Sequence, residues 1–270
     1  MGTKKSTEKL ANFYLEVMEQ EHDIASLEWK ADIDHQQMNR WSQGEAALAL
    51  VPPVINAEKI FARLLAVAQA CQKWQAGPQP VSDEFINGLK GLNSFEEKNL
   101  IEALFYLEGN KYEWAKRLAV PLGLLDFIAL ATFKPILKAF GEGFLKQIDL
   151  AEWNHNHCPV CGDQPTMAKL VGKEGHRKLY CGRCETEWRF KRIGCPYCKD
   201  ENSSQTTFIT LDDCKQYRVY LCDRCKSYLK TVDERVAGEV DLFCEDLATA
   251  ALDEIAQSEG YQRGDQRQQA

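Results

Sequence analysis

The sequence lacks several features that assign a chain to a class at once. Its opening residues, MGTKKSTEKL, are polar, so the apolar stretch of a secretory signal is missing. It also lacks the run of ~20 apolar residues that spans a bilayer. The most apolar stretch, Val120 to Phe133, is shorter, carries Asp126, and is followed by Lys134 and Pro135. It reads as a buried core helix, and no membrane insertion is expected. Gly2 with Ser6 fits the short myristoylation pattern, which is loose enough to arise by chance. An excess of positive charge is absent too: the formal net charge is −7, which argues against a generic basic nucleic-acid binder. Finally there is no phosphate loop, no nucleotide fingerprint, no H-E-x-x-H and no nucleophile elbow, so nothing points to catalytic turnover.

What is present is enough apolar residue to build a core. Of 270 residues, 44% are hydrophobic and 27% charged, as in an ordinary soluble protein of one large or two modest domains. The first 150 residues carry helical periodicity. Asn56 can cap a helix with Ile60, Leu64, Val67, Ala68, Cys71 and Trp74 along one face. Ser94 with Glu97 reads as a capping box ahead of Leu100, Ile101, Leu104 and Phe105, and Pro121 opens the apolar helix.

The texture changes near Glu152, where the chain becomes rich in Cys, Gly and Pro with short alternating runs. Arg177 to Tyr180 and Tyr217 to Leu221 read as strands, each leading into a cysteine pair. After Gly238 helical spacing returns, with Val240, Cys244, Leu247, Ala251 and Ile255 on one face. The expected architecture is α+β: an all-α helical domain over 1–151, two tandem rubredoxin-like or zinc-ribbon modules over 152–193 and 194–236, a C-terminal helix over 237–258 and a flexible tail over 259–270.

Eleven cysteines are present, and eight of them form four C-x-x-C pairs: Cys158/Cys161, Cys181/Cys184, Cys195/Cys198 and Cys222/Cys225. In the reducing cytoplasm expected for a chain with no export signal, such pairs bind metal rather than form disulfides. The pairs belong to an internal repeat. CPVC at 158–161 corresponds to CPYC at 195–198, and LYCGRC at 179–184 to YLCDRC at 220–225. The stretch between the pairs is 19 residues in the first copy and 23 in the second, so the second loop carries four more.

A C-x-x-C turn aims two sulfurs at one point, and two turns brought together by a hairpin complete a tetrahedron of thiolates. Two consecutive copies make eight-cysteine ligation the expectation. Pairing within each copy closes each site locally; a crossed arrangement of the first pair with the third is the alternative. Four thiolates hold zinc or rubredoxin-type iron, and spacing alone does not choose. Four protein ligands leave no open position, which favours structure or electron transfer over Lewis-acid catalysis. His155 and His157 beside Cys158 are spare ligand candidates. Cys71 and Cys244, on apolar stripes, read as small core residues; Cys214 reads as a surface or half-buried thiol.

Zinc ribbons often bind nucleic acid, so charge matters again. From His155 to Arg235 there are 15 Lys/Arg and 11 Asp/Glu, and two divalent tetrathiolate centres would cancel that excess of four. Arg189, Lys191 and Arg192 form a small basic cluster, which reads as a docking patch rather than a phosphate-binding face.

At this point the sequence resembles a known family. CPVCG at 158–162, CGRCETEW at 181–188, RIGCPYC at 192–198, CDRCKSYLKT at 222–231, DLA at 246–248 and LD at 252–253 are similar to the FdhE family of formate dehydrogenase accessory proteins. The resemblance covers roughly Cys158 to Tyr261. It implies a cytoplasmic, non-enzymatic maturation factor whose partner is the molybdenum- or tungsten-containing catalytic subunit of respiratory formate dehydrogenase, and it favours iron as the metal. Trp188, Arg189, Arg192, Tyr197, Tyr228 and Lys230, with Asp246 and Asp253 of the last helix, are the expected partner-facing surface. Two other readings stand beside it: a rubredoxin-like redox protein that passes electrons to the client or senses oxygen, and a nucleic-acid-binding ribbon.

Overall fold

A computed structural model describes residues 2–19, 33–106, 110–199, 205–211 and 214–265. Its helices are α1 (Gly2–Glu19), α2 (His35–Ser42), α3 (Ala47–Leu50), α4 (Ala57–Trp74), α5 (Asp83–Lys90), α6 (Ser94–Phe105), α7 (Lys111–Arg117), α8 (Leu122–Leu145), α9 (Glu234–Ala237), α10 (Leu242–Ala248) and α11 (Ala250–Ser258). The strands are β1 (Met167–Val171), β2 (His176–Tyr180), β3 (Glu187–Phe190), β4 (Thr206–Leu211), β5 (Cys214–Cys222), β6 (Ser227–Asp233) and β7 (Gln262–Arg263). The chain divides into two compact units, one from the described parts of 1–28 and 53–139, the other from those of 29–52 and 140–270. The boundaries of these units differ from 151/152: the described residues 33–52 go with the cysteine-rich unit, and so does the end of α8.

The first unit is all helical. Asn56 caps α4 through Lys59 N–H at 3.1 Å, and Ile60, Leu64, Val67, Ala68 and Cys71 are buried along one stripe as their spacing demands. The capping box of α6 lies one residue earlier than the sequence suggested. Asn93 accepts from Glu96 N–H and the Glu96 carboxylate accepts from Asn93 N–H, because Asn caps as well as Ser does. Pro135 stands inside α8. It removes the N–H that would bond to the carbonyl four residues earlier, at Ala131. The buried guanidinium of Arg63 donates to the carbonyls of Thr132 (3.1 Å) and Ala131 (3.5 Å), so the break is satisfied from α4. Phe105 and Phe133 pack edge-to-face at 5.3 Å in the same core.

Among the described residues no single helix is long and apolar enough to cross a membrane. Helices α7 and α8 pass that test of length and composition together, but the chain bends by 112° between them.

The second unit is built on a sheet in the order β3-β2-β1-β6-β5-β4, with β7 pairing β6. Each cysteine copy supplies one hairpin, β1–β2 with β3 and β4–β5 with β6. The copies are joined by a parallel pairing of β1 with β6, Met167 opposite Lys230 through Leu170 opposite Asp233. Strand pairing thus runs across the expected ribbon boundary at 193/194, and both faces of β6 are buried. On one face Val219, Leu221 and Tyr228 pack against Leu252 and Ala256 of α11, while Met167, Tyr180 and Val232 pack against Leu242.

The C-terminal helix expected over 237–258 is two helices, α10 and α11, separated at Thr249, which is buried and bonds its hydroxyl to the Glu245 carbonyl at 2.6 Å. The break shifts the buried face to Leu242, Leu252 and Ala256 and leaves Cys244 exposed, so Cys244 is not a core residue. The tail is also ordered further than its composition suggested, since Gln262–Arg263 forms β7.

Candidate metal centres

The eight paired cysteines gather into two clusters, Cys158, Cys161, Cys181, Cys184 and Cys195, Cys198, Cys222, Cys225, with the sulfurs of each within 4.8 Å of one another. The pairing is within each copy. The sequence achieves this locally through one repeated device. The residue after the second cysteine of every pair lies in the left-handed region: Gly162 (φ 80°), Glu185 (φ 60°), Lys199 (φ 58°) and Lys226 (φ 54°). That reversal returns the amide to the turn's first residue, as in Gly162 N–H to Cys158 O (3.0 Å), Glu185 N–H to Cys181 O (2.8 Å) and Lys226 N–H to Cys222 O (2.8 Å). The hairpins β1–β2 and β4–β5 then bring the two turns of each copy face to face.

The geometry fits a metal. A tetrahedron with ~2.3 Å metal–sulfur bonds has edges of about 3.8 Å. In the second cluster Cys195–Cys225 and Cys198–Cys222 are both 3.7 Å apart, and in the first Cys158–Cys184 is 3.3 Å and Cys161–Cys181 is 3.4 Å. The donor set suits zinc or iron.

The electrostatics point the same way. Burial pushes the thiols of Cys158, Cys181 and Cys195 up, and that of Cys222 up to about 11. Burial raises Cys161 as well, but hydrogen bonds from Cys158, Cys181 and Cys184 outweigh it and lower that thiol. Four buried thiols with no cation are a poor arrangement of polar groups; a divalent ion converts them to thiolates and supplies the missing charge.

The first cluster is wrapped by residues of which sequence reasoning singled out only Trp188 and the two histidines. Trp41 Nε1–H and Ala47 N–H both donate to Pro159 O (3.1 and 3.0 Å), and Leu48 N–H donates to Val160 O (2.8 Å). Trp153 packs on Trp41 at 5.0 Å, and Trp188 donates to His155 O at 3.0 Å. The two neighbouring histidines are not ligands here. His155 bonds Ser42 O (3.0 Å) and His157 bonds Gly44 O (2.8 Å), burial holding the His157 imidazole below its usual value. These contacts join 33–52 to the cysteine-rich unit. Trp41 and the apolar run at 46–51 were the available signals.

The residues expected to face a partner divide in two. Trp188, Tyr228 and Lys230 are buried, and the half-buried Tyr197 spends its hydroxyl on Pro165 O at 2.9 Å. Lys230 Nζ meets Asp246 and Asp253 at 2.7 Å each, and Tyr228 donates to Asp253 at 2.8 Å. Arg263 of β7 joins the same carboxylates, binding Asp246 with two nitrogens' worth of contacts at 3.1 Å, Asp253 at 3.4 Å and Asp265 at 3.2 Å. Lys230, Tyr228, Asp246, Asp253 and Arg263 tie α10, α11 and β7 to the sheet through these contacts. The motif residues are grouped as the sequence grouped them, but inward, because a buried lysine needs its two carboxylates. Arg189 is exposed, and Arg192 is half-buried with a 2.8 Å bond to the Tyr220 hydroxyl.

Comparison with known proteins places these features. The sequence model of the FdhE central domain matches residues 157–192 and that of the FdhE C-terminal domain matches residues 193–268. The chain is 29% identical over 141 residues to a protein FdhE homolog of Aquifex aeolicus, covering 51% of this chain and 49% of that one. It is 36% identical over 110 residues to protein FdhE of Escherichia coli O1:K1, covering 40% of this chain and 35% of the relative. The matched segments thus span half or less of those relatives. The crystal structure of the FdhE protein from Pseudomonas aeruginosa superposes with a TM-score of 0.61 at 18% identity, covering 97% of this chain and 92% of that one, which establishes a shared fold.

Proposed function

The chain belongs to the FdhE family, and on that premise we propose that it is an accessory factor for formate dehydrogenase with no turnover of its own. In this reading it acts in the cytoplasm and binds the enzyme's molybdenum- or tungsten-containing catalytic subunit, whose activity or assembly depends on it. The observation that carries the reading is the pair of four-cysteine clusters, closed by protein ligands, inside the segment that the family models match. Neither cluster leaves a position for water or substrate, as befits a protein that shapes a surface rather than transforms a ligand. Iron is the occupant favoured by family resemblance, with zinc the other fit to four thiolates.

The eight cysteines are the proposed metal ligands. In this reading the buried Trp188, Tyr228 and Lys230 and the half-buried Tyr197, Asp246 and Asp253 support the surface from within, while the exposed Arg189 and the half-buried Arg192 touch the client. Arginines at a rim steer and anchor protein partners.

The test is recovery of the formate dehydrogenase catalytic subunit with the affinity-tagged chain from anaerobically grown cells. The subunit is expected with the wild-type chain and lost with the double variant Cys195→Ser, Cys198→Ser. Failure to recover it with the wild-type chain contradicts the proposal.

A further inference from the structure

The two centres share ligands and turn geometry but not depth. Position by position in the repeat, the first is enclosed: Pro159, Val160, Cys161, Arg183 and Cys184 are all buried, and the residues after the pairs, Gly162 and Glu185, are half-buried. At the matching positions of the second, Cys195, Pro196, Cys222 and Cys225 are buried as well, but Tyr197 and Cys198 are half-buried, and Lys199, Asp223, Arg224 and Lys226 are exposed. Because equivalent positions are compared, the difference lies in the surroundings and not in the ligand chemistry.

The surroundings differ for a clear reason. The first turn is covered by the 41–48 segment, whose Trp41, Ala47 and Leu48 donate to the carbonyls of Pro159 and Val160. Reaching those sulfurs requires that segment to lift away, with loss of three hydrogen bonds and of the Trp41–Trp153 packing. On the second turn the matching carbonyl, Pro196 O, takes a side-chain bond from Asn156 (2.6 Å). Beside it lies a cleft of about 160 Å³ with Phe190, Ile193 and Lys199 along its sides and Cys195 in its wall.

We infer that the centres are unequal in kind: the first is a permanent clasp, and the second is an exchangeable metal site that small soft ligands, thiols and chelators, reach at the half-buried Cys198, next to Lys199 of this cleft, without unfolding the protein. Local openings cost far less where few buried contacts must break, and sulfur reactivity follows exposure. The inference rests on the metal-binding part of the reading above and is independent of the client.

The experiment uses the full chain loaded with zinc and challenged with 4-(2-pyridylazo)resorcinol, while iodoacetamide labels released thiols and peptide mass spectrometry locates the label. Half of the zinc is expected to leave in a fast phase, roughly tenfold or more ahead of the rest. The label accompanying it should fall on Cys195, Cys198, Cys222 and Cys225, with circular dichroism unchanged. Label appearing first on Cys158, Cys161, Cys181 or Cys184 overturns the inference. A chain that takes up no zinc overturns the metal reading along with it; two ions surrendered at one rate overturn the inequality alone.

Discussion

The Lys230 ammonium stands 2.7 Å from an Asp253 carboxylate oxygen, with 1% and 17% of the two side chains exposed. A pair whose motif suggested an outward grip is therefore an internal clasp, and Arg263 completes it from β7. Arg263→Ala leaves two partly buried carboxylates with one cation between them. Breaking a buried pair costs ~3–5 kcal/mol, and the residual exposure here puts the expected loss near 3 kcal/mol. Urea unfolding of the metal-loaded chain measures it. A loss below about 0.5 kcal/mol, the scale of an ordinary surface change, contradicts the clasp.

The same clasp has an acid limit. Burial alone would raise Asp246, but Arg263 foremost and then Lys230 outweigh it and hold the carboxyl below its usual value. A depressed folded value means that its stabilisation is complete above the unfolded value of about 4 and disappears as pH falls through the lower folded one. Stability profiles of the wild-type chain should therefore fall below about pH 4, and Asp246→Asn should flatten that limb. An identical slope in the variant contradicts the assignment.

Pro135 and Arg63 make a coupled pair in the helical unit. Arg63→Met removes a donor to the Ala131 carbonyl, which Pro135 leaves without its helical N–H, at a cost of about 1–3 kcal/mol. Pro135→Ala restores a helix N–H for Ala131, so the double variant should lose less than the two single losses combined. Additive losses in thermal unfolding contradict the coupling.

The metal turns predict opposite effects at equivalent positions. Gly162→Ala places a side chain in the left-handed region and a Cβ 3.3 Å from Ala46, and should cost about 1 kcal/mol or more. Lys199→Gly relieves the same conformation in the second copy and should be neutral or gain up to about 1 kcal/mol. Denaturation midpoints decide both, and a destabilising Lys199→Gly would show that the turn draws on the lysine side chain.

Metal-site chemistry was legible in the sequence because C-x-x-C spacing is local and repeats twice. The helical stripe of α4 and the strands before Cys181 and Cys222 were legible for the same reason. What was not legible depends on distant partners. Nothing in a Gln-rich tail distinguishes Arg263, since its role exists only once Asp246 and Asp253 face it. The joining of the ribbons through β1 and β6 is a non-local pairing with no periodic signature. Trp188 and Tyr228 looked like interface anchors because large aromatics serve both cores and interfaces, and only the fold decides which.

Metal content decides the proposal of one ion per four-cysteine cluster. Native mass spectrometry of the intact chain, purified without oxygen, reads it. Two metal ions are expected per wild-type chain and one in the double variant Cys195→Ser, Cys198→Ser. A folded wild-type chain that carries no metal after reconstitution contradicts it.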